Sequence, residues 1–467
     1  MKLRYWVIYS LWLFTGLSIY GDRNETGSLR LMEGPMLGAV TEDSILIWAR
    51  FSGPYPVSLE IARDSKFEET VCRIESEAMP ENDYCVEFKV DGLRPGTSYF
   101  YRFYINGQRP KYYRKYPSSQ FQTAPNPRER SAFSVGMGSC ARYQEDPLQT
   151  IWLEVYRHQP DLFFWLGDNI YGDSLDGGIL AEEYRRQRAV PYLQPVNRTI
   201  PQLATWDDHD FGLNDHDRTN PVKEKALEIF KRYWANPAYG LPETPGVFFD
   251  YHYGGIDFFF LDGRYYRDPY FKEDNRDKTL LGEAQLSWLK DGLLESEAPF
   301  KVLVCGSGWT SLKGPGGDSW SSMLTERDAL FEWITENGIE GVVLVSGDVH
   351  RSELNIIPWS EKGGYDFYEF VASPLAQGTS TDLRPDIWEI YYDDPVTDAP
   401  SFGLLEFDLT RKDPEIRYRV IDGLGHEHYE NFSIRASDLK PGVISWTDKV
   451  GKAEIGRHAA FLERMKR

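Results

Sequence analysis

The sequence predicts a mixed α/β protein in two parts, an N-terminal β-sandwich followed by a larger α/β domain. Between residues 29 and 125, short alternating runs are separated by Gly-Pro, Pro-Gly and Asn-Gly turn pairs and show no helical period. After Ser131, apolar strand-like runs alternate with amphipathic helical ones, which indicates a central sheet covered by helices on both sides. We therefore expect domains at 29–125 and 131–439, with a peripheral C-terminal segment at 440–467.

The strands of the first domain are predicted at 44–50, 57–62, 84–90, 98–105 and 119–123. The turn at 92–97 feeds an aromatic strand, as in the corresponding corner of fibronectin type III-like modules. Cys72 and Cys85 fall on two strand-like runs joined by a turn, so the two thiols could face each other across a hairpin. Both a disulfide and two reduced cysteines fit this pattern.

The second domain has a regular succession of strands and helices. Its strands are predicted at 132–138, 162–166, 256–261, 301–305, 341–345 and 368–372, and its helices at 147–158, 223–236, 283–294 and 326–337.

The overall charge limits the classes of partner. The chain has 467 residues with 52 basic and 72 acidic side chains, which gives a formal net charge of −20. This balance argues against a general nucleic-acid binder, which needs a basic surface. It does not exclude phosphate-bearing substrates, because bound metal ions can reverse the sign of the local field.

The N-terminus has the features of a targeting segment. Lys2 and Arg4 precede an uncharged stretch from residue 5 to residue 20, as in a secretory signal peptide. An uncleaved anchor is the alternative, since the run is just short of a membrane span. We therefore expect residues 1–21 to be a signal peptide or anchor, and the protein to be secreted or periplasmic, or held at a membrane.

The strongest functional signal lies at the ends of the strands of the second domain. Ligands of open α/β sheets bind at the carboxyl ends of the strands, and five such ends deliver chemically useful side chains. A single Asp after a strand is usually a helix cap, but five ends together indicate a site. The residues at these ends are Cys140; Asp168 and Tyr171; Asp207, Asp208, His209 and Asp210; Asp262 and Arg264; and Asp348 and His350.

The residue types at these ends point to metal. Carboxylates and an imidazole can hold one or two cations, and two metals can clamp both oxygens of an in-line displacement at phosphorus. The Cys140 thiolate favours iron or zinc over magnesium and calcium, and a Tyr171 phenolate suits Fe(III). Asp210, Asn214 and Asp215 either bind a further hard cation such as calcium or form a solvated acidic loop. The motifs of serine hydrolases, P-loop NTPases and zincins do not occur in the sequence.

These motifs resemble the PhoD-like alkaline phosphatases, relatives of the purple acid phosphatases among the metallophosphoesterases. The resemblance covers nearly the whole chain and implies a metallophosphatase-like β-sheet core flanked by helices. It is carried by Gly-Ser-Cys at 138–140, Gly-Asp-Asn-Ile-Tyr at 167–171, Thr-Trp-Asp-Asp-His-Asp at 205–210, Leu-Asp-Gly-Arg-Tyr-Tyr-Arg at 261–267 and Ser-Gly-Asp-Val-His at 346–350.

The resemblance implies a centre that holds Fe(III) together with calcium or another divalent cation. It assigns Cys140, Tyr171 and His350 to the iron, with Asp168 as the bridge between the metals. The second cation is assigned to Asp208 and Asp348, with Asp207 and Asn214 as further contributors.

The same resemblance implies two catalytic residues. His209 would stabilise the transition state or protonate the leaving oxygen, or else only support a carboxylate. Arg264 would clamp the phosphate through two oxygens, or else be structural, and Arg142 is a second candidate for the clamp. The sequence departs from the family pattern around these residues, with Ala141 after the cysteine and Gly263 before the arginine.

The expected activity is hydrolysis of phosphoesters by a metal-bound hydroxide at a dinuclear or multinuclear centre. Monoesters and diesters are both open as substrates, and the substrate is a small molecule or a lipid. A phospholipase-like phosphodiesterase is one alternative, since Tyr265, Tyr266 and Trp309 could face a lipid, although such aromatics are more often core. A second alternative is a non-catalytic, calcium-stabilised binding or adhesion protein.

Overall fold

The computed structural model describes residues 29–110, 119–381 and 386–467. The predicted signal peptide or anchor at residues 1–21 lies outside these ranges. Among the described residues, no helix combines the length and the apolar character needed to cross a membrane.

The first domain is a β-sandwich, as predicted. Its two sheets have the strand orders β1-β2-β5 and β4-β3-β6-β7, and their inner faces share one apolar core in which Phe103 contacts both Phe51 and Phe88. The strands are β1 (Leu31–Val40), β2 (Ile45–Phe51), β3 (Pro56–Ala62), β4 (Thr70–Glu77), β5 (Cys85–Val90), β6 (Ser98–Ile105) and β7 (Gln120–Gln122).

The predicted hairpin that carries the two cysteines is wrong. β4 pairs with β3 and β5 pairs with β2, so Cys72 and Cys85 lie in opposite sheets of the sandwich. Both thiols are free. The turn between the two strands is a crossover between sheets, which turn chemistry alone does not distinguish from a hairpin.

The second domain contains two seven-stranded sheets. Their orders are β10-β9-β8-β20-β21-β22, with β23 also on β21, and β13-β14-β15-β16-β18-β17-β19; β11 and β12 form a separate two-stranded sheet. The strands are β8 (Ala132–Gly138), β9 (Leu162–Leu166), β10 (Gln202–Thr205), β11 (Gly240–Leu241), β12 (Thr244–Pro245), β13 (Phe249–Tyr253), β14 (Ile256–Phe260), β15 (Lys301–Val304), β16 (Val342–Ser346), β17 (Glu353–Ile357), β18 (Phe367–Val371), β19 (Ile390–Tyr391), β20 (Ser401–Asp408), β21 (Glu415–Asp422), β22 (Glu427–His428) and β23 (Ser433–Arg435).

The two sheets pack face to face, whereas the sequence predicted one central sheet. Phe164 of β9 lies against Phe258 and Phe260 of β14, with ring centroids 5.0 and 4.9 Å apart. The helices cover the outer faces of the two sheets. Each strand is therefore still buried on both faces, and its sequence is apolar throughout. For example, Trp152 packs on the first sheet through Phe163, and Phe331 packs on the second through Phe367.

The helices agree with the four predicted, and four more are present among the described residues. They are α1 (Ile151–His158), α2 (Gly177–Arg188), α3 (Leu193–Thr199), α4 (Asp208–Phe211), α5 (Lys223–Tyr233), α6 (Glu283–Glu295), α7 (Leu324–Glu336) and α8 (Lys452–Met465). The last of these lies in the predicted peripheral segment and is fixed to the second domain by an ion pair between His458 and Glu361.

Candidate metal centre

The predicted strand ends converge on one edge of the paired sheets. β8, β9 and β10 of the first sheet are parallel, as are β14, β15 and β16 of the second, so their carboxyl ends meet. Gly306 and Gly347 permit the close approach, because a Cβ at either position would lie within 3 Å of atoms in loops of the first sheet. The loops after these strands therefore form one continuous site.

A thiol, a phenol, an imidazole and a carboxylate meet on the first-sheet side. Cys140 Sγ lies 3.4 Å from Asp168 Oδ2, and the Tyr171 hydroxyl lies 3.4 Å from the same oxygen and 3.2 Å from His350 Nε2. The ligand atoms of Cys140, Asp168 and His350 all lie within 4.8 Å of one another. The structure thus brings together the four residues that the resemblance assigned to iron.

Carboxylates surround a second position, next to the first. The ligand atoms of Asp168, Asp208 and His209 form one group within 4.8 Å of one another. Those of Asp208, Asp215 and Asp318 form another group within the same distance. Asp208 therefore belongs to both of these groups, and Asp168 belongs to the first of them and to the group of Cys140 and His350. Asp348 lies at the same edge, where its carboxylate forms an ion pair with Lys313.

The donor set fits a metal. Two carboxylate oxygens of the site are buried and accept no hydrogen bond, Oδ1 of Asp168 and Oδ2 of Asp207. Oδ1 of Asp208 also accepts none but lies 3.5 Å from Arg264 Nη2. A buried carboxylate oxygen without a partner is costly unless a cation or another donor satisfies it. Sites that bind only the hard cations magnesium or calcium do not use a thiol or a phenol of this kind as a ligand.

Burial raises the pKa of the thiol, the phenol and the carboxyl on the first-sheet side. It raises the pKa of the Cys140 thiol to about 11, and the charge of Asp348 adds to this effect. Burial and the neighbouring Cys140 also raise the pKa of Asp168 and of Tyr171 well above their ordinary values. A bound cation would reverse this balance, because it favours the deprotonated form of each ligand.

The second position is electrostatically different. Burial raises the pKa of Asp207 to about 7 in spite of the adjacent guanidinium of Arg264. Burial also opposes ionisation of Asp208, but Arg264 and His209 outweigh it and lower the pKa of that carboxyl. Asp208 is therefore available as an anionic ligand without help from a metal.

His209 is held at the edge of the site. Its ring stacks on Tyr171 with centroids 4.1 Å apart, its Nδ1 lies 2.5 Å from Asp173 Oδ1, and its Nε2 lies 4.0 Å from Asp168. Burial disfavours the charged ring, but Asp168, Asp173 and Asp208 raise the pKa of His209 to about 10. The imidazole is thus oriented by one carboxylate and kept protonated by three.

The predicted phosphate clamp Arg264 does not reach the site surface. Its side chain has no exposed area, and its donors bind Asp207 through Nε and Asp318 through Nη1 and Nη2, at 3.1 and 2.7 Å for the latter two. It also lies 3.5 Å from Asp208. Arg264 therefore contacts three carboxylates from behind, an arrangement that favours the structural alternative over the clamp.

The acidic segment 210–215 carries three of the residues considered as cation ligands. Asn214, a predicted ligand, is exposed. Its neighbour Asp215 lies in a group with Asp208 and Asp318, and the Asp215 amide donates to Asp208 Oδ2 at 2.7 Å. Asp210 is occupied by structural hydrogen bonds from the Tyr184 hydroxyl and the Asn169 amide.

The aromatic residues considered for lipid contact are mostly core. Trp309 is fully buried and stacks on Trp320 with centroids 4.5 Å apart. Tyr265 is also buried, and the Tyr266 hydroxyl donates to the carbonyl of Pro245. These contacts explain the aromatic cluster without a lipid.

The loops of the site carry unusual backbone conformations. Non-glycine residues with positive φ are uncommon and cluster where the surrounding structure holds them for a function. Six belong to this site, with φ between 43° and 71°: Cys140, Asp168, Asp173, Asp215, Asp348 and His350.

Sequence reasoning missed Lys313, Asp318 and the role of Asp173. Lys313 and Asp318 lie in the glycine-rich loop after β15, which has no acidic motif directly at the strand end. The strand-end rule that found the other loops would have included this one, because β15 lies between β14 and β16.

Similarity to known proteins agrees with this geometry. Residues 133–401 match the PhoD-like phosphatase family, and residues 18–125 match the N-terminal domain of the PhoD-like phosphatases. The chain is 27% identical to alkaline phosphatase D of Bacillus subtilis (strain 168) over 428 residues, which cover 78% of the chain and 72% of that relative.

Two solved structures share the fold. One is a structure of PhoD, with a TM-score of 0.65, 21% identity, and coverage of 92% of this chain and 98% of the other. The second is a purple acid phosphatase from yellow lupin (Lupinus luteus) seeds, with a TM-score of 0.62, 14% identity, and coverage of 86% and 74%. With its family match over more than half of its length, the chain belongs to the PhoD-like phosphatase family.

Proposed function

We propose that this phosphoric ester hydrolase cleaves phosphoesters at a dinuclear metal centre, with His209 as the acid that protonates the leaving oxygen. The observation that carries the proposal is the meeting of Cys140, Asp168 and His350 within 4.8 Å, beside a buried Asp168 oxygen that accepts no hydrogen bond. Membership of a phosphatase family excludes the non-catalytic binding protein considered as an alternative.

The residues fit one trivalent and one divalent cation. Cys140, Tyr171 and His350 would hold Fe(III), and the carboxylate of Asp168 would be shared with a second cation, calcium or another divalent ion. The second ion would be held by Asp208 and Asp348, with Asp207 beside them. Bound cations supply an activated water near neutral pH and neutralise charge on the phosphoryl oxygens.

The protein's own groups contribute position and proton. Asp173 fixes the His209 ring through Nδ1, at 2.5 Å, so the opposite nitrogen faces Asp168 and the centre. A protonated imidazole placed there can deliver a proton to an alkoxide as the ester bond breaks. Arg264 holds Asp207, Asp208 and Asp318 in place, so that the cation-binding oxygens are preorganised.

The experiment is a paired measurement of metal and turnover. The purified protein should contain iron and a divalent cation by elemental analysis, show the colour of a tyrosinate–iron complex, and hydrolyse para-nitrophenyl phosphate or its bis-ester. Asp168→Asn should lose metal and turnover together. The control Asp250→Asn changes an exposed carboxylate on β13 and should lose neither. Full turnover by a metal-free preparation would contradict the proposal.

We also propose that the protein is exported through residues 1–21, as the charge and hydropathy of that segment suggest. N-terminal sequencing of the protein from its native host tests this. A mature chain that still begins at Met1 would exclude cleavage of a signal peptide, and the uncleaved membrane anchor would be the remaining interpretation.

A further inference from the structure

We propose that Lys313 binds the phosphoryl oxygens of the substrate and favours phosphomonoesters over phosphodiesters. This inference rests on the proposed function, because it assigns a substrate class to the same site. Lys313 lies in the glycine-rich loop after β15, in the segment that ends at Asp318.

Lys313 lies on the second-cation side of the centre. Its ammonium forms an ion pair with Asp348 and donates to the carbonyl of Asp318 at 3.1 Å. A positive charge therefore lies directly beside the Asp348 carboxylate that would hold a cation.

Its exposure distinguishes Lys313 from Arg264 and Arg267. The side chains of Arg264 and Arg267 are 0% and 1% exposed, and both are bound to Asp318. The Lys313 side chain is 30% exposed. An incoming anion can therefore reach Lys313 but cannot reach either guanidinium.

The loop allows the ammonium to change partners. Gly314 and Gly316 have φ of 72° and 80°, and a Cβ at either position would meet no atom within 4 Å, so both glycines face open space beside Lys313. Once a cation binds Asp348, the ammonium loses much of the attraction of that carboxylate. The hydrogen bond to the Asp318 carbonyl keeps it nearby, and the phosphoryl oxygens are the anionic group that can replace its former partner.

The preference for monoesters follows from charge. The phosphoryl group of a monoester carries close to two negative charges near neutral pH, because its second pKa is about 6. A diester carries a single negative charge, because one more of its phosphoryl oxygens is bonded to the second organic group. A fixed ammonium beside the reacting group therefore stabilises a bound monoester more than a diester.

The test compares Lys313→Met with the matched control Lys362→Met. Lys362 is another ion-paired lysine, 44% exposed, whose partner is Asp328. In Lys313→Met, we expect kcat/KM for para-nitrophenyl phosphate to fall about 10- to 100-fold. The value for bis(para-nitrophenyl) phosphate should fall much less. Calorimetry with inorganic phosphate on the metal-loaded protein should show about the same loss of affinity, and Lys313→Arg should recover part of it.

Several results would overturn the inference. Equal losses on both esters would remove the selectivity, and unchanged phosphate affinity would remove the contact. If Lys313→Met bound one cation more than the wild type, the ammonium would be a substitute for that cation rather than a substrate ligand. Wild-type protein that hydrolyses neither ester would contradict the proposed function instead, and phosphate calorimetry would still test Lys313.

Discussion

Asp173 offers a sharp test of the proposed acid, because it contacts His209 from outside the metal cluster. Its Oδ1 lies 2.5 Å from His209 Nδ1, and its side chain is 41% exposed against 14% for the imidazole. Asp173→Asn keeps the size of the side chain and removes the charge that orients and protonates the ring.

The expected effects on stability and on activity differ in size. Partly exposed ion pairs contribute about 0–1 kcal/mol, so the free energy of unfolding should hardly change. Partners that orient residues around a metal centre typically contribute about 10- to 100-fold in activity, and we expect kcat to fall by that factor.

The pH profile supplies the more specific readout. Burial opposes the charge on His209, while Asp168, Asp173 and Asp208 together raise its pKa to about 10. A group with a raised pKa is protonated below that value, so an acid catalyst loses activity as pH rises through it. Without Asp173 the pKa of His209 falls, and the alkaline limb of the kcat profile should move to lower pH.

The assay is steady-state kinetics of the metal-loaded protein across pH, with metal content measured in parallel. The control Asp257→Asn removes the carboxylate of another His–Asp pair, 2.7 Å from His252 Nδ1 and near the start of β14, at the opposite end of that strand from the site. It should leave kcat and the profile unchanged. An Asp173→Asn protein with wild-type kcat and an unshifted alkaline limb would refute the role of His209 as an oriented acid.

Buried contacts of the site lead to three more expected outcomes. Since burial raises the pKa of Cys140 to about 11, its thiol must release a proton when it binds a metal. The affinity for the metal should therefore rise with pH, and calorimetry in two buffers should detect the released proton. Arg264→Met leaves Asp207 and Asp318 without their guanidinium partner and should lower the free energy of unfolding in urea by about 3–5 kcal/mol. A smaller loss than that of Tyr184→Phe would contradict the positioning role of Arg264. Tyr184→Phe removes the 2.8 Å hydrogen bond to Asp210 and should cost about 1–3 kcal/mol at unchanged metal content, whereas metal loss would place Asp210 in the centre.

Much of the site could be predicted because a local rule fixes it. Buried strands read as apolar runs, and the residue after such a run lies at a known edge of the sheet. Cys140, Asp168, Asp208 and Asp348 all come after strands of this kind, and the structure brings them to one place. The rule needs no knowledge of which strands are neighbours.

The errors arise where neighbours matter. Whether the strands form one sheet or two depends on which strands pair. Apolar strands that are covered on both faces have the same sequence pattern in either case. For the same reason, the sequence pattern favours one hairpin for Cys72 and Cys85, which lie in opposite sheets. The pattern does not predict β1 because Gly34, Pro35 and Gly38 read as a turn, whereas the strand accommodates them through irregular pairing with β2.

The functional errors have a similar cause. Whether an arginine binds substrate or supports carboxylates depends on its exposure, and Arg264 is completely buried by residues from distant segments. Lys313 lies in a glycine-rich loop whose path into the site is set by packing rather than by local pattern. Such roles need the three-dimensional structure.

The proposed mechanism depends above all on metal held by Cys140, Asp168 and His350. Elemental analysis of the wild type and of Cys140→Ser, each paired with hydrolysis of para-nitrophenyl phosphate and its bis-ester, tests this dependence. We expect iron with a divalent cation and turnover in the wild type, and loss of iron and turnover together in the variant. Wild-type turnover without iron, or a variant that loses iron and keeps full activity, would contradict the mechanism.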